Sequence, residues 1–334
     1  MAGLAIGEAL SWPAMYHRSY LLPFWTRRIR REIDAATEKD NVVALPVPFS
    51  LNQPAQLFNM SPTVNTEWAS FTAEILIDNG TSNYADNIFS EWKNLALSET
   101  VVKGSVSVQA ALNNIRKGLI PPQCGKENPH YFDDSAMARA VPIGVYFAGD
   151  PEKAAEYAKT ESSVTNSEDG VWAAQAMAAA ISILCSGRGI DEALESAMSF
   201  LPDSSWIKRT VDDALNISGK AGSVFEVLPE LHNCVVNREY SYGNAAPETL
   251  AIALTIIKSN CGSFKEDVTL SSSFPKCGQT LPAVVGSLAG ALSNINIASE
   301  SWLSAIKELK GICIPAFAGK NYLTISEKLS NIAG

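Results

Sequence analysis

The residues whose types and spacing first suggest contact with a ligand are Cys277, Gly278, Gln279 and Thr280, which run into Leu281-Pro282 and the stretch AVVGSLAGAL. Thr280 is a candidate N-cap. A proline two residues later suits a first helical turn, because its missing N–H would be unpaired there anyway. Gly286, Ala289, Gly290 and Ala291 leave one face of that helix almost without side chains, so neighbouring backbones can approach. Such a helix start is either a well-capped core element or an N–H-rich seat for a polar ligand. Two further points carry carboxylates at helix starts. Glu67 lies in the first turn after Thr66, where the helix dipole favours negative charge in any case. Asp133-Asp134 precede a helix beginning at Ser135, and one of the two is expected to cap it.

Composition narrows the chemistry. With 35 acidic against 26 basic residues and a formal charge of -9, the chain lacks the basic excess of a nucleic-acid binder. Its one basic cluster, Arg27, Arg28, Arg30 and Arg31, reads as a solvated helix face. The six cysteines form neither CxxC pairs nor a Cys/His zinc pattern, so free thiols in a reducing cytoplasm are expected. No secretory signal is visible, and no apolar run reaches the roughly 20 residues of a membrane span. The three histidines, His17, His130 and His232, read as loop or packing residues, with His17 nearest the N-terminal motif described below.

Helical periodicity recurs through the chain. Gly3–Leu10 starts a helix almost at the first residue, which predicts a turn or helix before it. A Pro/Asn-rich segment over 42–62 has no helical period and reads as a cover or lid. From Thr66 onward, about a dozen apolar-periodic segments follow, including 135–147, 170–186, 247–259 and 281–293, with turn residues between them. No alternating strand pair and no internal repeat are found. The expectation is a single all-α domain over residues 1–334, built as a compact orthogonal array of helices.

Three stretches, taken in order, resemble the ADP-ribosylglycohydrolase superfamily. GLAIGEALSWP at 3–13 resembles its opening GxAxGDAxGxP. Thr63-Val64-Asn65-Thr66, before a helix ending Ala73-Glu74-Ile75-Leu76, stands where the family writes TDDT. Cys277-Gly278-Gln279-Thr280 stands where the family has DxDT or DxDS. Between them, Ser135–Gly144 resembles the segment NGAAMRxxPIG, and the following FAGDPEKAAEYAKTESSVTN continues the likeness.

The resemblance implies an all-α fold in which the acidic motifs converge on a pair of magnesium ions that bind ribose hydroxyls and position water. Magnesium needs oxygen ligands with at least one or two carboxylates. Here Val64 and Asn65 replace one pair of acids, and Cys277 and Gln279 replace another, with Glu8 in place of the opening Asp. No metal ligand is therefore assigned, and tight magnesium binding is not expected. Asn166 stands where many relatives have His.

Glycosidic cleavage needs a carboxylic acid and a carboxylate or activated water, and the resemblance brings Glu8, Glu67 and Asp134 forward as candidate catalytic acids. Thr63, Asn65, Arg139, Asn166, Gln279, Thr280 and Tyr16 are the candidate substrate contacts. Trp12 and Trp68 could stack on a sugar or base. The expected function is hydrolysis of a ribosyl, furanosyl or nucleoside-like small molecule at a metal-poor site. The alternative is a non-catalytic relative that binds a sugar or nucleotide, or serves structurally.

Overall fold

A computed structural model describes residues 1–16, 60–237, 244–260, 263–274, 276–293 and 299–333. The basic cluster, His17 and nearly all of the 42–62 segment lie outside the described residues, as do the side chains of Trp12 and Tyr16.

The described residues form α-helices, one short 3-10 turn and two isolated β-bridges, with no strand. In chain order, the described helices begin with α1 (Ala2–Tyr16), α2 (Val64–Asn79), α3 (Tyr84–Leu97), α4 (Val106–Arg116), α5 (Gln123–Lys126), α6 (Ser135–Tyr146), α7 (Pro151–Ser162) and α8 (Asp169–Cys185). After them come α9 (Ile190–Ser199), α10 (Trp206–Ser218), α11 (Val224–Cys234), α12 (Ala246–Asn260), α13 (Phe264–Ser271), α14 (Leu281–Leu292), α15 (Glu300–Ala305) and α16 (Tyr322–Ile332). None is long and apolar enough to cross a membrane.

Local chemistry explains several boundaries. Asp150 accepts from Lys153 N at 3.1 Å ahead of Pro151, as its place before a proline predicts. Helix α2 starts two residues before Thr66, and α1 runs past Leu10 to Tyr16. Helix α13 has no counterpart in the sequence reading: SFKEDVTLSSS is polar along most of its length and carries a weak apolar stripe.

Ala-rich α8 is buried along nearly its whole length and packs against α6 and α7. Helices α1 and α14 cross through glycine. A Cβ on Gly3 would fall on the Gly286 carbonyl, and one on Gly7 would fall on the carbonyl of Pro282. Small residues at these positions let the two backbones touch, as the side-chain-free face of α14 suggests. That contact sets Glu8, next in chain to Gly7, against the start of α2, with the 277–280 segment close by.

Candidate active site

Two distant segments meet at the start of α2. Asn65 Nδ2 donates to the Gln279 backbone oxygen at 2.7 Å and to Glu8 Oε1 at 3.0 Å. Beside this junction lies a cleft of about 340 Å3, within the size range of small-molecule sites. Val64, Trp68, Val106, Val108 and Ile312 give it an apolar wall, and Asn65, Asn244, Gln279, Thr280, Asp133 and Asp134 a polar one. Lys103, His130, Ser105 and Ser135 also line it.

Of the candidate acids, Asp134 is the one that lines this cleft. It is 5% exposed. Its Oδ1 accepts from Thr280 Oγ1 at 3.0 Å and its Oδ2 from Thr249 Oγ1 at 2.7 Å, and the Asn244 side chain also bonds to it. Burial, reinforced by the charge of Asp133, pushes Asp134 up to about 7 against the opposing pull of those hydrogen bonds. Thr280 is thus a cleft residue but not a side-chain cap. Its hydroxyl goes to Asp134 and makes no capping bond to α14.

Glu8 and Glu67 do not line the cleft, and their carboxylates hold backbone. Glu8 Oε2 accepts from Thr63 N at 3.0 Å, Thr66 N at 3.0 Å and Thr66 Oγ1 at 2.6 Å, while Oε1 accepts from Asn65 N at 2.7 Å. Glu8 therefore caps α2 from another helix, meeting the N–H groups that a helix start leaves unpaired. Glu67 binds a nest of three amides at the far end of the chain. Its Oε1 accepts from Ile312 N at 2.7 Å, and its Oε2 from Cys313 N at 2.7 Å and Ile314 N at 3.1 Å. Through Ile312 and Cys313 it fixes one border of the cleft without facing it.

Arg139 is likewise turned inward. It is fully buried, with Nε donating to Glu161 Oε1 at 2.7 Å, Nη1 to Ser135 O at 3.3 Å and Nη2 to Thr165 Oγ1. Its guanidinium lies 5.2 Å from the centre of the Trp92 ring, and Trp92 stacks on Trp68 at 5.0 Å. Arg139 supports the cleft wall from behind and is not available to a ligand, because a paired charge this deep cannot leave its partner cheaply.

Thr63 is buried and gives its N–H to Glu8, without lining the cleft. Asn166 is also buried behind the lining, bonded to Tyr131 and Asp133. Asn65, Gln279 and Thr280 do reach the cleft. The Cys277 thiol turns away, its Sγ donating to Glu248 Oε2 at 3.8 Å, and burial followed by the charges of Glu248 and Asp134 raises it well above the usual thiol range. It is no nucleophile there.

The cleft residues absent from the sequence reading as ligand contacts are Lys103, His130, Ser105, Asn244 and Thr249 behind it. His130 lies in the loop before α6. No motif marks any of them, and the loops before α4, α6 and α12 bring them in. An antiparallel bridge between Asp133 and Ala245 joins the start of α12 to the start of α6 and so brings Asn244 and Thr249 to Asp134, a pairing visible only in the fold.

The sequence matches the ADP-ribosylglycohydrolase family over residues 1–330. The chain belongs to this family. Among solved structures it is similar to one titled "ADP-ribosylglycohydrolase-related protein complex", at 18% identity and a TM-score of 0.61, covering 99% of this chain and 95% of that one. At that identity the likeness speaks for the fold. A comparison with curated proteins returned no match.

The donors present do not fit the family's pair of magnesium ions. Val64 offers no oxygen, the Cys277 thiol faces Glu248, the Asn65 amide nitrogen is directed at Glu8 and Gln279, and the Glu8 carboxylate is filled by helix N–H groups. Among the described residues, no group of three or more His, Cys, Asp or Glu side chains is arranged to hold a metal ion. Asp133 and Asp134 alone supply carboxylates to the described lining, too little charge to offset dehydration of two hard cations.

Proposed function

We propose that the cleft binds a ribosyl, furanosyl or nucleoside-like small molecule and hydrolyses its glycosidic or N-glycosidic bond by acid catalysis without tightly bound magnesium. The supporting observation is a buried carboxylic acid, Asp134, lifted to about 7 at the cleft surface beside a second carboxylate. An acid with that affinity for its proton can donate it near neutral pH. Asp134 gives its proton to the departing oxygen or nitrogen as the bond to the anomeric carbon breaks. Water bonds to that carbon, and its proton passes to Asp133. Asn65, Gln279 and Thr280 offer hydrogen bonds to sugar hydroxyls, and Trp68 with Val64 offers an apolar face to the ring.

In this reading the chain is a single domain in a reducing cytoplasm, which suits the buried free thiols of Cys124, Cys277 and Cys313. A second reading, a non-catalytic sugar- or nucleotide-binding protein, draws on the use of Glu8 and Glu67 for backbone support. Release of ribose from an alkyl ribofuranoside in the presence of chelator, measured beside equilibrium binding of the same compound, tests both. The hydrolytic reading expects turnover that falls by about 100-fold in Asp134→Asn. Binding without turnover favours the second reading, and neither binding nor turnover removes both.

A further inference from the structure

Asp133 and Asp134 are neighbours in sequence with opposite surroundings, and the difference lies in what kind of hydrogen-bonding group each one meets. Asp133 Oδ1 meets Ser135 N at 3.1 Å and Asn166 Nδ2 at 3.0 Å, and its Oδ2 meets Ser107 N at 3.4 Å. Each of these is an N–H group, which can only donate. Asp134 meets the hydroxyls of Thr249 and Thr280 and the amide side chain of Asn244. Hydroxyls rotate and amides turn over, so these partners serve a carboxylate as donors and a carboxylic acid as acceptors.

The orientation of Asn166 is fixed independently. Its Nδ2 also lies 3.1 Å from the backbone oxygens of Tyr131 and of Asp133, and only the nitrogen end of the amide can face two carbonyls. Its Oδ1 accepts from Thr165 Oγ1 at 2.6 Å, which holds the same orientation from the other side. Gly170 leaves the room this requires, since a Cβ there would stand 2.7 Å from Asn166 Nδ2. A buried amide locked this way turns its NH2 toward the Asp133 carboxylate, its two hydrogens shared between that oxygen and the two carbonyls.

We propose that Asn166 is a positioning residue that divides the roles of the two acids, holding Asp133 as the carboxylate so that Asp134 carries the proton. The inference rests on the hydrolytic reading for its use in turnover, but the division itself is a property of the unliganded protein. The other titratable groups around the pair are Lys103 and His130 in the cleft lining, and Cys277 with the Glu248–Lys276 pair behind Asp134.

The test is carboxyl-carbon NMR titration of aspartate-labelled protein, with Asp133 and Asp134 assigned from Asp133→Asn and Asp134→Asn. In the wild type, the Asp134 signal should titrate near neutral pH. In Asn166→Ala and in the near-isosteric, uncharged Asn166→Leu, the Asp134 midpoint should move down. Asp133→Asn should lower the Asp134 midpoint as well, which keeps the test open if both Asn166 variants fail to fold. Unchanged Asp134 titration in a folded Asn166 variant, or in Asp133→Asn, overturns the proposal. Because no turnover is read, this result is separable from the fate of the hydrolytic reading, which the ribofuranoside assay decides.

Discussion

The carboxamide of Asn65 donates to the backbone oxygen of Gln279 at 2.7 Å across a separation of 214 residues. That one bond joins the two segments that border the cleft, and the amide's second bond ties the same side chain to Glu8. In a metal-binding relative, two acids at these positions would be held together by cations between them. In this chain the segments are joined directly, by an amide that can donate to a carbonyl and a carboxylate at once.

Asn65→Leu should therefore loosen the cleft. It strips a donor from a buried carboxylate and leaves the Gln279 carbonyl without this partner, a loss of about 1–3 kcal/mol. Thermal or denaturant unfolding checks the size. Asn65→Asp, which restores the residue type the family carries there, should destabilise at least as much, since it sets a second negative charge beside Glu8. Stabilisation of that variant by millimolar magnesium would contradict the account of the donor set.

Glu8→Gln and Glu67→Gln should act on stability before chemistry. Each replaces an acceptor-only group, surrounded by N–H donors, with an amide whose NH2 must face some of them. A destabilisation of about 2–4 kcal/mol is expected for each by urea unfolding. At a temperature where the variants remain folded, turnover or ligand binding should persist. Complete loss of turnover in a fully folded Glu67→Gln protein would return that residue to the acid–base role.

Asp134 makes stability and activity depend on pH in a defined direction. Its folded-state value lies above that of an unfolded aspartate, so the native state holds an extra proton between about pH 4 and 7. Stability is lost as pH rises through that window. Denaturant unfolding at pH 5 and pH 8 should show a smaller drop in Asp134→Asn than in the wild type. Turnover should fall as pH rises through about 7, because the acid form is the donor; an activity that climbs through neutrality would assign Asp134 to a base.

The helical array was legible because caps, prolines and apolar spacing are local signals, and Asp150-Pro151 shows how directly they act. The convergence of residues 63–66 with 277–280 was implied by the family resemblance, not by any local signal in the chain. The duties of the acids were hidden for a physical reason: the amides that engage Glu67 lie 245 residues away or more, and nothing near Thr66 announces them. The inward pairing of Arg139 was hidden on the same ground, since its partner Glu161 sits on another helix. Lys103, His130 and Asn244 come from loops whose paths only packing decides.

The central claim is that this cleft accepts its ligand through neutral and singly acidic side chains with no divalent ions. Isothermal titration calorimetry of chelator-treated protein tests it most directly, with magnesium, ADP-ribose and adenosine titrated in turn and then each of the two organic ligands repeated in magnesium. Saturable heat for ADP-ribose or adenosine without metal, none for magnesium alone, and no gain when both are present is the predicted result. Tight magnesium binding, or ligand binding that appears only once magnesium is added, would contradict it.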